Sequence, residues 1–228
     1  MRRSIPTPPK PHLLSNGIKN ACDVWKCWSH KAGDRVVTLY SELEFDHAMY
    51  LEASNHVLAW REQPLKVERA RENGRGYIVD YWAYLESDDE EYGEIKESDR
   101  LVEVDGREPM PKDWAPVKAH IEDLGAIPRV VTEMDLAPHA FLIGNWRRAV
   151  PHIARAYFRN DADTRRRIRE LVHQRPPITL GEIEGHLSHV DPVDVWAQSM
   201  RLHQEGDIAA KMAEEPLDRC LKFRPRVN

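Results

Sequence analysis

At 228 residues, 41% hydrophobic and 31% charged, the chain has room for one large domain or two small ones with a proper core. Its net charge of −5 argues against a simple polyanion binder. No apolar run approaches the roughly 18 residues of a membrane span, and the polar start MRRSIPTPPKPH has no signal-peptide core. Cys22, Cys27 and Cys220 are too few for a disulfide framework, so a reducing, cytoplasmic location is expected.

Charge is unevenly spread. Residues 146–228 carry 15 Lys and Arg against 12 Asp and Glu, which leaves 18 against 26 in residues 1–145. The first 40 residues hold seven basic and two acidic side chains. Basic arms on an acidic body are compatible with phosphate contact, and equally with ordinary solvated surface.

In chain order, the proline-rich residues 1–20 predict an irregular or extended arm. DRVVTLY (34–40) predicts a short strand. SELEFDHAMYLEAS (41–54) predicts a helix with Leu43, His47, Tyr50, Leu51 and Ser54 near one face. VLAWREQPLKVERA (57–70) is strand-like, with Pro64 confining it to an edge or irregular position. ENGRG is a turn, and YIVDYWAYL (77–85) and YGEIKES (92–98) predict a hairpin closed by an acidic turn. VKAHIEDLG is a helix ending at Gly125, PRVVTEMDL (128–136) a strand, and 139–158 a helix interrupted or restarted near Pro151. Three further helices over 163–174, 179–189 and 191–206, then two short strands within 207–223, complete the chain. Ile168, Leu171, Val172, Val195, Met200 and Leu202 are expected inward, and Thr179 with Glu182 forms a capping box. Mixed α/β followed by three helices and a hairpin matches a winged helix-turn-helix tail.

One segment carries chemistry. Glu94 and Lys96 are two apart, so in a strand both project from one face, and Asp80 falls on the neighbouring predicted strand. Carboxylates converging there would hold a hard divalent cation such as Mg²⁺ by oxygen ligands. Such an ion polarises a phosphate and lowers the pKa of bound water, while Lys96 would orient that water or offset developing charge. A surface hairpin with a cross-strand ion pair has the same residues. Upstream, Glu44 opens the first helix, where nucleases of the PD-(D/E)xK type place a further acidic ligand. Ser41-x-x-Glu44 also reads as a capping box, with Glu44 reaching back to the Ser41 amide.

The ordered set Ser41-Glu42-Leu43-Glu44-Phe45-Asp46, Glu62-Gln63-Pro64, Tyr77-Ile78-Val79-Asp80 and Glu94-Ile95-Lys96 resembles the TnsA-like endonuclease subunits of heteromeric, Tn-seven-type bacterial transposases. Val131-Thr132-Glu133 and Asn145-Trp146-Arg147-Arg148 resemble that family's following strand and helix, so the likeness covers about residues 36–150. It implies an extended arm over 1–35, a restriction-endonuclease-like PD-(D/E)xK domain over 36–158 and a winged-helix-like domain over 159–228. It implies catalytic Glu44, Asp80, Glu94 and Lys96, metal ligation by Glu44, Asp80, Glu94 and the Ile95 carbonyl, and Gln63 as a family residue. The implied activity is Mg²⁺-dependent hydrolysis, with Mn²⁺ substituting, at the 5′ ends of a transposon. The implied partners are transposon-end DNA, a DDE-type transposase (TnsB-like) and an AAA+ ATPase regulator (TnsC-like). Tyr-Ile-Val-Asp stands where the family usually has Thr-Pro-Asp. A restriction or repair nuclease, and a non-catalytic DNA-binding or assembly adaptor on the same scaffold, remain alternatives.

Lys26, Lys31 and Arg35 near the arm, and the run Arg165-Arg166-Arg167, are candidate phosphate contacts against the plainer reading of solvated charge. Residues 191–205 would be the recognition helix of a helix-turn-helix but include Arg201 as their sole Lys or Arg, which favours protein docking for the tail. Cys22, Cys27 and His30 lack a fourth zinc ligand, and His186 and His189 are expected at the surface.

Overall fold

A computed structural model describes residues 6–7, 9–12, 23–68, 70, 73–103, 109–159 and 161–226, and shows an α/β protein in two units that divide between Pro138 and His139. Most of the arm expected over 1–20 lies outside the described residues. No described helix is long and apolar enough to cross a membrane.

The first unit begins with a hairpin of β1 (Trp25–Ser29) and β2 (Arg35–Leu39). Sequence pattern predicts only β2, because WKCWS alternates weakly and becomes a strand through its partner. Helix α1 (Glu42–Ala53) starts where Ser41 places it, the Ser41 hydroxyl accepting from the Glu44 amide at 3.1 Å. Of the expected face, His47, Leu51 and Ser54 are buried and Leu43 and Tyr50 partly so, but Ala48, Met49 and Glu52 are buried too, so α1 is covered on more than one side.

The predicted strand over 57–70 is broken. β3 (Val57–Glu62) stops at Gln63, whose φ of 47° ends the extended run before Pro64, and β4 (Lys66–Val67) pairs instead with β5 (Tyr77–Ile78). The predicted strand over 77–85 is broken as well, with Asp80 in a bend between β5 and β6 (Tyr81–Leu85) rather than in a strand. Its backbone is shared between neighbours, the amide donating to Gly93 O at 3.0 Å and the carbonyl accepting from Gln63 N at 2.8 Å.

β6 and β7 (Glu90–Ile95) form the expected antiparallel pair. Helix α2 (Trp114–Asp123) begins three residues before the predicted Val117, since Pro116 is compatible with a first helical turn. It supplies the crossover to β8 (Ile127–Val131), which runs parallel to β7 and completes the sheet order β3-β6-β7-β8. The strand expected to 136 ends at Val131, because Thr132 caps the short helix α3 (Glu133–Leu136), its amide donating to Asp135 Oδ2 at 2.8 Å. Trp114, Val117 and Ile121 of α2 pack on Val67, Tyr77 and Val79, fixing the strands that flank Asp80.

Two side chains in this unit give stability predictions. A Cβ on Gly93 would overlap the ring of Tyr81, which is buried and donates to Glu91 Oε1 at 2.6 Å. Gly93→Ala should therefore cost about 1–3 kcal/mol by overpacking, read from urea unfolding; an unchanged midpoint would show that the ring yields freely. His47 is buried against Tyr81, ring centroids 4.4 Å apart, and burial together with Arg129 pushes its pKa down to about 3, opposed by Asp135. The unfolded chain, with a usual His value near 6.5, takes up the proton first. Its contribution is full above pH 6.5 and is lost as pH falls towards 3, by up to about 1.4 kcal/mol per unit. From pH 6.5 to 4.5 the wild type should lose Tm relative to His47→Gln, since Asp80 and Glu44, whose raised values act in the opposite sense, are common to both proteins. Parallel profiles would remove His47 from the pH dependence.

In the second unit α4 (Ala140–Phe158) runs unbroken through Pro151, correcting the expected interruption. The proline forfeits one intrahelical bond, while Ile143, Trp146, Val150 and Ile153 remain on one buried face. Three more helices follow, α5 (Ala162–Gln174), α6 (Leu180–His186) and α7 (Pro192–Gln204). α4 packs on α7, where Arg155 holds Asp194 at 2.6 Å, so it groups with this unit and the division falls at 138 rather than 158. Ile168, Val172, Val195, Met200 and Leu202 are buried as expected, and Leu171 is partly so. The expected hairpin is two strands of a three-stranded sheet, β10-β11-β9, formed by β9 (Ile178–Thr179), β10 (Ile208–Ala210) and β11 (Lys222–Pro225).

Candidate active site

Glu44, Gln63, Asp80, Glu94, Ile95 and Lys96 all line one cavity of about 490 Å³ in the first unit. They arrive from separate places in the chain: the first turn of α1, the end of β3, the break before β6 and the end of β7. The break at Asp80 matters most. Leaving the strand frees its carboxylate to turn to the end of β7, where Oδ2 accepts from Ile95 N at 2.8 Å. Lys96 follows β7, its amide donating to Val131 O at 3.0 Å and its ammonium holding Glu94 Oε1 at 3.0 Å.

Glu44 both caps and lines the cavity. Its Oε2 accepts from the Tyr40 amide at 2.9 Å and its Oε1 from the Ser41 hydroxyl at 3.3 Å, so the cap reaches one residue further back than the expected Ser41 amide. Capping and cavity lining are thus compatible.

The electrostatics are unfavourable to this many negative charges. Burial, then Glu94 and Glu44, push the Asp80 carboxyl well above the usual range, with the Ile95 amide and Lys96 opposing. Burial also raises Glu44, despite the Tyr40 and Ser41 hydrogen bonds. For Lys96 burial pulls downward, but Glu94 and Asp80 outweigh it and hold the ammonium charged. Glu94 is buried, and its Oε2 has no hydrogen-bond partner among the described residues. A desolvated carboxylate oxygen without a donor, beside two further carboxyls of raised pKa, is the donor chemistry of a hard divalent cation. Among the described residues no three His, Cys, Asp or Glu side chains are gathered at ligand distance. The hydrogen bonds to Tyr40, Ser41 and Ile95 hold two of the carboxylates, so ligation would require Glu44 to rotate off its cap.

Arg75, from the ENGRG turn, and Arg100, which holds Glu97 at 2.9 Å, line the same cavity and were not singled out by sequence. Their signal was available: Arg100 lies four residues past Lys96, and Arg75 five before Asp80.

The structure places the candidate phosphate contacts differently. Lys31 is partly buried, its ammonium donating to Leu51 O at 2.9 Å and Ser54 O at 2.6 Å, and burial lowers its pKa to about 8 against Glu52. It closes the end of α1. Arg35 grips buried Glu62 with both terminal nitrogens. Lys26 is exposed on β1. Arg165 pairs with Glu205, Arg166 with Asp163 and Glu170, and Arg167 with Asp163 at 2.7 Å, so this run is laced into its own surface.

Other residues are structural. Cys22 lies outside the described residues, while burial, Glu52 and Glu62 push the Cys27 thiol up to about 12 and His30 holds Asp34 at 2.6 Å. His186 and His189 stand beside Arg175 and Arg167. Asn145 is buried and pins the 212–217 loop, donating to Met212 O and Glu215 O at 2.8 Å each and accepting from Leu217 N at 2.9 Å.

No protein-family model matches the chain, and no curated protein matches it in sequence.

Proposed function

We propose that the protein is a Mg²⁺-dependent DNA endonuclease of the PD-(D/E)xK type, acting as a TnsA-like subunit of a heteromeric transposase. The observation that carries this reading is the convergence of Glu44, Asp80, Glu94, the Ile95 backbone and Lys96 on one cavity. Five residues spaced over more than fifty positions meet at a single site, with a carboxylate oxygen that has no partner among the described residues.

Glu44, Asp80, Glu94 and the Ile95 carbonyl would hold the ion, which supplies polarisation of the scissile phosphate and activation of water. The chain's own residues do the rest. Lys96 stays charged and, released from Glu94, orients the attacking water or offsets charge on the phosphate. The Ile95 amide fixes the Asp80 carboxylate in direction. Arg75 and Arg100 would draw neighbouring phosphates towards the cavity. Helices α5 to α7 and the small sheet of the second unit suit a winged-helix-like docking module for an ATPase regulator.

The adaptor reading has one observation in its favour, since Glu44 is satisfied where it stands by Tyr40 and Ser41. The test is cleavage of transposon-end DNA with Mg²⁺, with and without a DDE-type transposase. Cutting that needs the transposase supports the subunit reading, and cutting of plain DNA unaided favours a restriction or repair nuclease. A complex that assembles on the ends and never cuts, in Mg²⁺ or Mn²⁺, leaves the adaptor.

A further inference from the structure

We infer that the outer face of β11 in the second unit is a binding surface for the phosphate backbone of duplex DNA. Strand alternation puts Phe223 in the core and turns Lys222 and Arg224 outward, both exposed. Arg226 follows two residues later and is exposed as well. The three cations therefore repeat every second residue, about 7 Å apart along an extended strand.

What faces them leaves the charge available. The cross-strand partners of Lys222 and Arg224 are Thr179 and Ala209, and neither is acidic. Among the described residues neither Lys222 nor Arg224 forms an ion pair, in contrast to Arg165, Arg166 and Arg167. Arg226 lies close over Gly206, just past the end of α7, where a Cβ would overlap its guanidinium. These residues border a cavity of about 300 Å³ together with Lys211 and Glu215, four cations against one carboxylate. Lys211 is engaged by Glu214, which leaves the β11 row as the uncompensated charge.

A row of exposed Lys and Arg beside small apolar residues fits phosphates better than a protein partner. Protein interfaces use Arg too, but they deplete Lys and centre on aromatic anchors, and among the described residues no aromatic one lines this cavity. Cations that displace counterions from a duplex, by contrast, need only exposure and spacing. The surface lies outside the first unit, so it stands whether or not the nuclease reading does.

The test is fluorescence anisotropy of the full chain with a labelled duplex of arbitrary sequence, in EDTA, over a series of salt concentrations. Lys222→Glu combined with Arg224→Glu should weaken binding at least about tenfold and reduce the slope of log affinity against log salt by about 2. Lys222→Arg combined with Arg224→Lys should keep both, and Lys118→Glu, on exposed α2 surface, should change little. Melting by circular dichroism should be the same for all variants. No duplex binding by the wild type at low salt, or an unchanged affinity and slope in the charge-reversed protein, overturns the inference. So does full displacement of the duplex by polyglutamate at matched charge, which would mark a surface for acidic protein.

Discussion

Asp80→Asn is expected to lower Mg²⁺-dependent cleavage of end DNA by at least about a thousandfold while raising the Tm of the metal-free protein. Asparagine keeps the size of the side chain and an oxygen to accept from Ile95 N, which the carboxylate does at 2.8 Å. It removes the charge that burial and the nearby Glu94 and Glu44 make costly. Loss of a charged ligand forfeits several kcal/mol of transition-state stabilisation, and each 1.36 kcal/mol is tenfold in rate. The opposite signs are the point, because sites built for a cation carry repulsion that the rest of the fold tolerates. Cleavage assays and thermal melts in EDTA read the two effects separately. A variant that cuts normally would remove Asp80 from the site. One that is inactive but less stable would make it a structural carboxylate.

Arg35→Ala is expected to cost about 3 kcal/mol of stability. Glu62 is buried, and Arg35 holds both of its oxygens while donating to Ala32 O at 3.1 Å. Removing the guanidinium leaves a buried carboxylate with its charge uncompensated, which costs more than the pair contributes. Arg35→Lys should recover part of the loss, since an ammonium cannot grip both oxygens. The double replacement Arg35→Met with Glu62→Met should recover most of it, because the stranded charge disappears. Urea unfolding measures all four proteins. Unchanged stability in Arg35→Ala, together with weaker DNA binding, would return Arg35 to the role of a phosphate contact.

Glu44, Glu94 and Lys96 were legible in the sequence because each sits beside a local signal. Ser41 marks the start of α1 and so places Glu44, while the period-two pattern of β7 places Glu94 beside Lys96. What sequence pattern missed is the geometry that joins them. A continuous strand through Asp80 would send its carboxylate across the sheet; the bend between Ile78 and Tyr81, held by Gln63 and Gly93, sends it to Ile95 instead. That break depends on partners thirteen or more residues away, which no local window contains. The same holds for Lys31 and Arg35, which look like free cations in sequence and are claimed by α1 carbonyls and by Glu62. Charge counts do not reveal partners. In the second unit the helices were readable from caps and periodicity, but β9 is two residues long and exists only through its pairing with β11.

The most direct test is calorimetric titration of Mg²⁺, then Mn²⁺, into the wild type and into Asp80→Ala, with end DNA present. The proposed site predicts saturable binding by the wild type that Asp80→Ala abolishes, whether or not a transposase is present. Wild type that takes up neither ion, or Asp80→Ala that binds as tightly as wild type, would contradict a metal centre at this cavity.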